Sequence, residues 1–388
     1  MAAPEVSVVM PCLNEAATIA ECVTTARRAL GERGIVGEII VADNGSTDGS
    51  QAIALEAGAR VVPVEERGYG AALTGGIAAA RGTYVVIGDA DGSYDFGISG
   101  RFLDKLREGY DLVVGNRFKG GVQRGAMPFL NRYLGNPILS GLGRLFFRCG
   151  CSDLHCGMRA FRREAVLAMD LRTTGMEYAS EMVVKATLGG FRVTETPTTL
   201  VPDGRGRRPH LRPWRDGWRH LRFLLLFSPN WLFLYPGITL ILAGLVMGGL
   251  VLPGPLRVGR VVFDVHTLLL AAAAILVGAQ AVFFALATRL FAVSEGLMPA
   301  SPTLARCQGV FRLEVGLAIG GLLALAGAAG STWAVALWGE HSFGALNPIR
   351  MLRLVIPSAT ALTLGCQIVF SSFLFSALNV THQHGARR

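Results

Sequence analysis

Two carboxylates one residue apart, in Asp89-Ala90-Asp91, are the pattern in this chain best suited to chemistry. Hard divalent cations take oxygen ligands, and Mg²⁺ commonly bridges a protein carboxylate and substrate phosphates. An ion held there would neutralise a departing diphosphate. Three further clusters precede it. Pro11-Cys12-Leu13-Asn14-Glu15 and Asp43-Asn44-Gly45-Ser46-Thr47-Asp48-Gly49 each follow an apolar run. Asp43 would accept hydrogen bonds from a base or ribose, although its segment equally suits a turn and helix cap. In Arg67-Gly68-Tyr69-Gly70, bare backbone would approach a diphosphate near a helix N-terminus, or pack a helix tightly on a sheet.

These clusters need elements to hold them. Val6–Met10, Gly37–Ala42, Arg60–Pro63, Thr83–Gly88 and Leu112–Gly115 read as strands. Ala16–Leu30, Thr47–Ala57 and Tyr69–Ala80 read as helices, with Ser46 or Thr47 as the N-cap of the second. This alternation predicts an α/β fold, a mostly parallel sheet with helices on both faces. Ligands then bind outside the carboxyl ends of the strands, where the Asp89–Asp91 cluster and both loops fall.

The second half differs in kind. The 388 residues are 51% hydrophobic with a mean hydropathy of +0.42, and the excess lies after residue 223. Four apolar runs, near 231–253, 266–290, 314–338 and 353–379, each reach the ~20 residues that cross a bilayer. Thr267–Thr288, Val315–Trp338 and Leu354–Val380 carry no charge. Before them, Trp214, Trp218, Leu221 and Leu225 share one helical face and Arg215, Arg219 and Arg222 another, an interfacial pattern. Met127–Arg148 is a second interfacial candidate, or a helix pair packed on the core. The expected layout is a catalytic domain over 1–212, an interfacial amphipathic helix over 213–228 and about four transmembrane helices over 229–388. Arg-rich 205–222, the 289–312 loop and Arg387-Arg388 fall on one side, which predicts a cytoplasmic catalytic domain. Glu5–Met10 is too short for a secretory signal and reads as the first strand.

The net charge of +9 suits a membrane surface or phosphorylated ligands, and no aromatic-and-basic nucleic-acid module appears. Cys149, Cys151 and Cys156 raise the question of zinc, but His155 alone does not complete a ligand set. Reduced, buried thiols are expected instead.

Taken in order, Pro11–Glu15, Asp43–Gly49, Asp89–Gly92, Gly115-Asn116-Arg117 and Asp153-Leu154-His155-Cys156-Gly157-Met158-Arg159 resemble glycosyltransferase family 2, of the GT-A fold. Within it the chain is most similar to dolichyl- and polyprenyl-phosphate mannosyl- or glucosyltransferases, over about residues 5–225. The resemblance implies that Pro11, Leu13, Glu15, Asp43 and Gly68 line a nucleotide-sugar site. It implies that Asp89, Ala90 and Asp91 hold Mg²⁺ or Mn²⁺ and the diphosphate, and that Arg117 meets an acceptor phosphate. Ser93 stands where some mannosyl members carry Gln, and Gly92 resembles the glucosyl branch more. The implied reaction is inverting transfer of a hexose, from UDP-glucose or GDP-mannose, onto a polyprenyl phosphate. An anionic phosphate needs cations to hold it, and Arg gives planar bidentate contacts. Arg132, Arg205 and Arg208 are further candidates, as acceptor contacts or as a lid. A hydroxyl acceptor would need a general base. Glu177 and Glu181, one helical turn apart, could serve, or could be structural.

Two other readings stay open. A polysaccharide synthase would usually carry a Gln-x-x-Arg-Trp element, which is missing. A transporter or scaffold is the other; a transporter would usually carry more intramembrane polar and charged groups than this chain, in which Gln280 and Gln367 are the main interior polar residues. Gly316–Gly330 and Ala271–Ala274 predict close helix packing, which also suits a homo-oligomer.

Overall fold

The computed structural model describes residues 3–204, 213–294, 298 and 313–385. The chain divides into two compact units, Met1–Leu224 and Leu225–Arg388.

The first unit is built on a seven-stranded sheet of order β3-β2-β1-β4-β6-β5-β7. Its strands are β1 (Val6–Cys12), β2 (Gly37–Asp43), β3 (Arg60–Pro63), β4 (Tyr84–Ile87), β5 (Leu112–Asn116), β6 (Arg159–Arg162) and β7 (Val193–Pro197). Apolar runs such as Val8–Met10, Ile39–Ala42 and Val85–Ile87 are buried throughout, as strands covered on both faces must be. Strands β1 to β4 pair in parallel, and β7 runs parallel to β5. Strand β6 is antiparallel to both neighbours. Its first residue, Arg159, therefore sits beside Ile87, at the edge where the other strands end.

The sequence did not announce β6 or β7. Each is short and carries charged residues, so neither gives a continuous apolar run. The helices α1 (Ile19–Glu32), α2 (Ser50–Glu56) and α3 (Tyr69–Ala79) match expectation closely, but α2 begins late. Its N-cap is Gly49, left-handed at φ 86°, with no side-chain cap. Ser46 and Thr47 are engaged elsewhere: Ser46 Oγ accepts from Asn14 N–H at 2.8 Å, and Thr47 N–H donates to Asn14 Oδ1 at 2.7 Å. These bonds stitch the loop after β1 to the loop after β2. The remaining helices of this unit are α4 (Ser99–Arg107), α5 (Arg117–Gly120), α6 (Asn136–Phe147), α7 (Arg163–Ala168), α8 (Tyr178–Leu188) and α9, whose residues Pro213–Leu226 run just past the unit's end. A π-turn, Asn131–Gly135, leads into α6, where Pro137 sits in the first turn. Its missing N–H leaves no partner unmet there.

In the second unit, four helices are long and apolar enough to cross a membrane: Asn230–Val251, Val265–Ser294, Leu313–Glu340 and Pro348–Leu378. They contain α10 (Tyr235–Val251), α11 (Val265–Ser294), α12 (Leu313–Glu340) and the start of α13 (Pro348–Gly385). Glycines let them approach closely. A Cβ on Gly237 would fall 2.8 Å from the Gly278 carbonyl, and one on Gly327 would fall 2.3 Å from the Leu362 nitrogen. A hairpin of β8 (Leu256–Val258) and β9 (Val261–Phe263) joins α10 to α11. Arg353 is tied to Asp264 and to the carbonyls of Val251 and Leu252.

Candidate active site

Strands β1, β2, β4 and β5 deliver their carboxyl ends to one edge of the sheet, and there two cavities meet. The larger, about 440 Å³, is walled by Pro11, Leu13, Glu15, Asn44, Gly68 and Ala90, together with Arg215 and Arg219 of α9. The smaller, about 240 Å³, is walled by Ser93, Tyr94, Arg117, Asn131, His155 and His220. Tyr69, Asp89, Asp91, Met176 and Asp216 line both.

Asp89 and Asp91 leave β4 on a tight turn. Gly92 has φ +77°, Ser93 N–H donates to Asp91 Oδ1 at 2.9 Å, and Thr18 Oγ1 donates to the Ala90 carbonyl at 2.7 Å. Gly204 N–H donates to the Asp91 carbonyl at 2.9 Å. The Tyr69 hydroxyl hydrogen-bonds Asp89, and burial together with that carboxylate raises its pKa well above the ordinary value. Opposite lies Gly157, where a Cβ would fall 2.5 Å from Asp89 Oδ2. This donor set of two oxygen-bearing carboxylates fits Mg²⁺ or Mn²⁺, ions that keep open positions for phosphate oxygens. Among the described residues no group of three or more His, Cys, Asp or Glu forms a metal site.

Several expected residues sit differently. Asp43 lines neither cavity. Its carboxylate is engaged by the backbone N–H groups of Gly45 and Ser46, at 3.1–3.3 Å, and by Gln51 Nε2 at 2.6 Å. Burial pushes its pKa up, but these bonds outweigh it and hold the carboxyl below its usual range. Its neighbour Asn44 lines the larger cavity and accepts from Gly68 N–H at 2.8 Å. Gly68 and Gly70 are required by close packing. Gly68 has φ +141°, and Cβ atoms on the two would fall 2.1 Å from the Thr174 carbonyl and 2.3 Å from that of Thr173.

Arg117 reaches the smaller cavity already paired. Asp153 takes Nε at 2.8 Å, Nη2 at 2.7 Å and the Arg117 backbone N–H at 3.0 Å. Asp153 is fully buried. Burial works against the guanidinium charge, but Tyr94 and Asp153 outweigh it and hold the pKa well above normal. Two of its five donors are taken by Asp153, so a phosphate would meet a neutral pair rather than a bare cation. Arg132 lies against Tyr133, 5.5 Å from the ring centroid, and lines neither cavity. Arg205 and Arg208 fall outside the described residues.

Neither Glu177 nor Glu181 lines either cavity. Glu181 is buried, accepts from the backbone of Arg172 and Thr173 and from the Thr173 hydroxyl, and pairs with Lys185 at 2.9 Å. It thereby fixes the loop whose Thr174 carbonyl receives Gly70 N–H at 2.9 Å. Its place is structural.

Sequence reasoning missed Tyr69, Asp153, Gly157, Asp216 and the pair His155 and His220 as site residues. Asp216 and His220 lie on the inward face of α9, while Trp214 and Trp218 are 80% and 59% exposed on the other. The segment 128–147 is likewise two-faced: Pro128, Asn131, Asn136 and Leu139 line the smaller cavity, while Phe129, Tyr133, Leu134 and Ile138 are exposed.

Comparison with known proteins agrees with this architecture. Residues 7–168 match the glycosyl transferase family 2 model, and residues 286–379 match that of the glycosyltransferase family 2 C-terminal transmembrane region. The low-salt glycan biosynthesis hexosyltransferase Agl6 of Haloferax volcanii is 37% identical over 378 residues, 97% of this chain and 89% of that protein. The dolichyl-phosphate hexose transferase of the same organism is 32% identical over 194 residues, half of this chain and 81% of its own. A crystal structure of glucosyl-3-phosphoglycerate synthase from Mycobacterium tuberculosis with Mg²⁺ and UDP covers 58% of this chain and 79% of its own, at 24% identity and a TM-score of 0.45. On the full-length match and both family regions, the chain is a membrane glycosyltransferase and belongs to glycosyltransferase family 2.

Proposed function

We propose that this enzyme transfers a hexose, from UDP-glucose or GDP-mannose, to the phosphate of a polyprenyl phosphate at the cytoplasmic membrane face. The carrying observation is the paired cavities that meet at Asp89 and Asp91. The larger lies at strand ends, where open α/β sheets bind nucleotides. The smaller is walled by a segment whose opposite face exposes Phe129, Tyr133, Leu134 and Ile138, as a site drawing its substrate from a lipid surface requires. The similarity to a dolichyl-phosphate hexose transferase supports the same acceptor class.

In this reading Pro11, Leu13, Glu15, Asn44 and Gly68 bind the nucleotide, and Asp89 and Asp91 hold a divalent ion. That ion, when bound, offsets the charge of the departing diphosphate. An oxygen of the acceptor phosphate bonds to the anomeric carbon as the bond to the nucleoside diphosphate breaks, and configuration inverts. The attacking oxygen is already anionic, so no proton has to be removed. Glu177 and Glu181, the two glutamates considered as a base, line neither cavity. The Arg117–Asp153 pair presents its remaining N–H donors to the acceptor without overwhelming its negative charge.

The test is a radiolabelled transfer assay on the detergent-purified full chain with Mg²⁺ or Mn²⁺, polyprenyl phosphate, and UDP-glucose or GDP-mannose. An organic-soluble labelled product that Asp91→Ala abolishes supports the reading. No lipid product from either donor, with nucleotide binding intact, overturns it.

A further inference from the structure

The wall of the smaller cavity contains a linked pair of imidazoles that the reaction above does not use. Ser180 Oγ lies 3.3 Å from His155 Nε2 and 2.9 Å from His220 Nδ1. The rings meet edge to face with centroids 4.5 Å apart. A serine hydroxyl owns one proton, so it can donate to one ring only and must accept from the other. The tautomers of the two histidines are therefore locked together.

The direction of that lock follows from the far side of His155. Its Nδ1 is buried and has no hydrogen-bond partner among the described residues. A stranded buried N–H is rarer and more costly than a bare lone pair. His155 therefore carries its proton on Nε2 and donates to Ser180, which donates to His220 Nδ1. That leaves the His220 proton on Nε2, and no protein atom among the described residues accepts it. His220 shares its cavity with Asp89, Asp91 and Arg117. Both rings stay neutral: burial disfavours protonation of each, helped by His220, Arg117 and Arg159 at His155 and by Arg159 at His220. A neutral donor orients an anionic oxygen and leaves its nucleophilic charge intact, which a protonated ring would quench.

We propose that His220 is an acceptor-binding residue, its Nε2–H donating to an oxygen of the acceptor phosphate, and that Ser180 and His155 are positioning residues that fix its tautomer. This rests on the reading of the acceptor as a phosphate. It also makes α9, which carries Trp214 and Trp218 on its outer face, the element that completes the acceptor site.

The experiment compares His220→Asn with His220→Gln in the full chain, using the same donor and polyprenyl phosphate. Asn keeps a polar atom near Ser180 but cannot reach outward, whereas the Gln amide reaches the position of Nε2. His220→Asn is expected to raise KM for polyprenyl phosphate by about tenfold, the loss of one hydrogen bond to a charged group, with KM for the nucleotide-sugar unchanged. His220→Gln recovers most of it. Ser180→Ala, which frees the tautomer and removes little volume, raises acceptor KM by a smaller factor and provides the reading if His220→Asn does not fold. An unchanged acceptor KM in His220→Asn and Ser180→Ala overturns the proposal, as does activity that simply tracks thermal stability across the three variants. If the wild-type chain makes no lipid-linked product, the phosphate-acceptor reading itself has failed and this role falls with it.

Discussion

Substituting Gly157 by alanine isolates the placement of one carboxylate. The backbone there is not left-handed, so alanine brings no conformational strain. Its Cβ would fall 2.5 Å from Asp89 Oδ2 and 3.2 Å from both Asp89 Cγ and the Tyr94 ring. Ordinary contact begins near 3.4 Å, so the carboxylate must move by about 0.9 Å. It is the end of a short side chain and can swing, so the fold loses only about 1 kcal/mol, the low end of overpacking costs. Chemistry is less tolerant: a displacement of about 1 Å can lower a rate by about 100-fold. The expected result is a kcat about two orders of magnitude below wild type, with nucleoside diphosphate affinity reduced and the melting temperature nearly unchanged. Steady-state transfer at saturating donor and acceptor, beside a thermal melt, measures both. A Gly157→Ala enzyme with wild-type kcat would show that Asp89 is not held in its working position by the bare backbone opposite.

Asp91→Asn keeps the bond from Ser93 but removes the charge; kcat should fall by about 10²- to 10³-fold, as when one electrostatic contact to a transition state is lost, and the dependence on added Mn²⁺ should flatten. Asp153→Asn leaves Arg117 buried against a neutral partner and should cost about 3–5 kcal/mol, read as a large drop in melting temperature. His220 is held neutral by burial and by Arg159, which push its pKa down to about 4. The unfolded chain takes up that proton near pH 6.5, so the stability is present above about 6.5 and is lost as pH falls toward about 4, about 3 kcal/mol in all. Melts at about pH 7.5 and pH 4.5 should differ less in His220→Gln than in wild type.

What the sequence made legible follows from how far each signal extends along the chain. Val6–Met10 and Val85–Ile87 are continuous apolar runs, and the four long uncharged stretches could hardly be anything but membrane helices. Asp89 and Asp91 stand out because both carboxylates fall in one three-residue window. The partners that define Arg117 and His220 do not. Asp153 pairs with Arg117 across 36 residues and Ser180 meets His220 across 40, and no local periodicity encodes either meeting. Strand β6 causes much of this. By reversing direction it returns Asp153, His155 and Gly157 to the edge where the parallel strands end, a result of sheet topology rather than local pattern. On α9 Trp214 and Trp218 are exposed, but the amphipathic reading treated the other face as merely polar, and Asp216 and His220 were lost in it. At Asp43 the sequence allowed both a ligand contact and a turn, and its carboxylate is engaged by its own turn and by Gln51.

The two-sidedness of α9 has a practical consequence for anyone who wishes to isolate the catalytic unit from its membrane spans. A fragment ending before Pro213 would lack Asp216, Gly217 and His220, and would strip buried Phe223 and Leu224 from its surface packing. Such a fragment would keep its sheet and leave the smaller cavity open and incomplete. Cutting after Leu224, where the compact unit ends, keeps the wall. It also leaves Trp214 and Trp218 uncovered, so the shortest complete enzyme domain is one that still needs detergent or lipid to stay in solution.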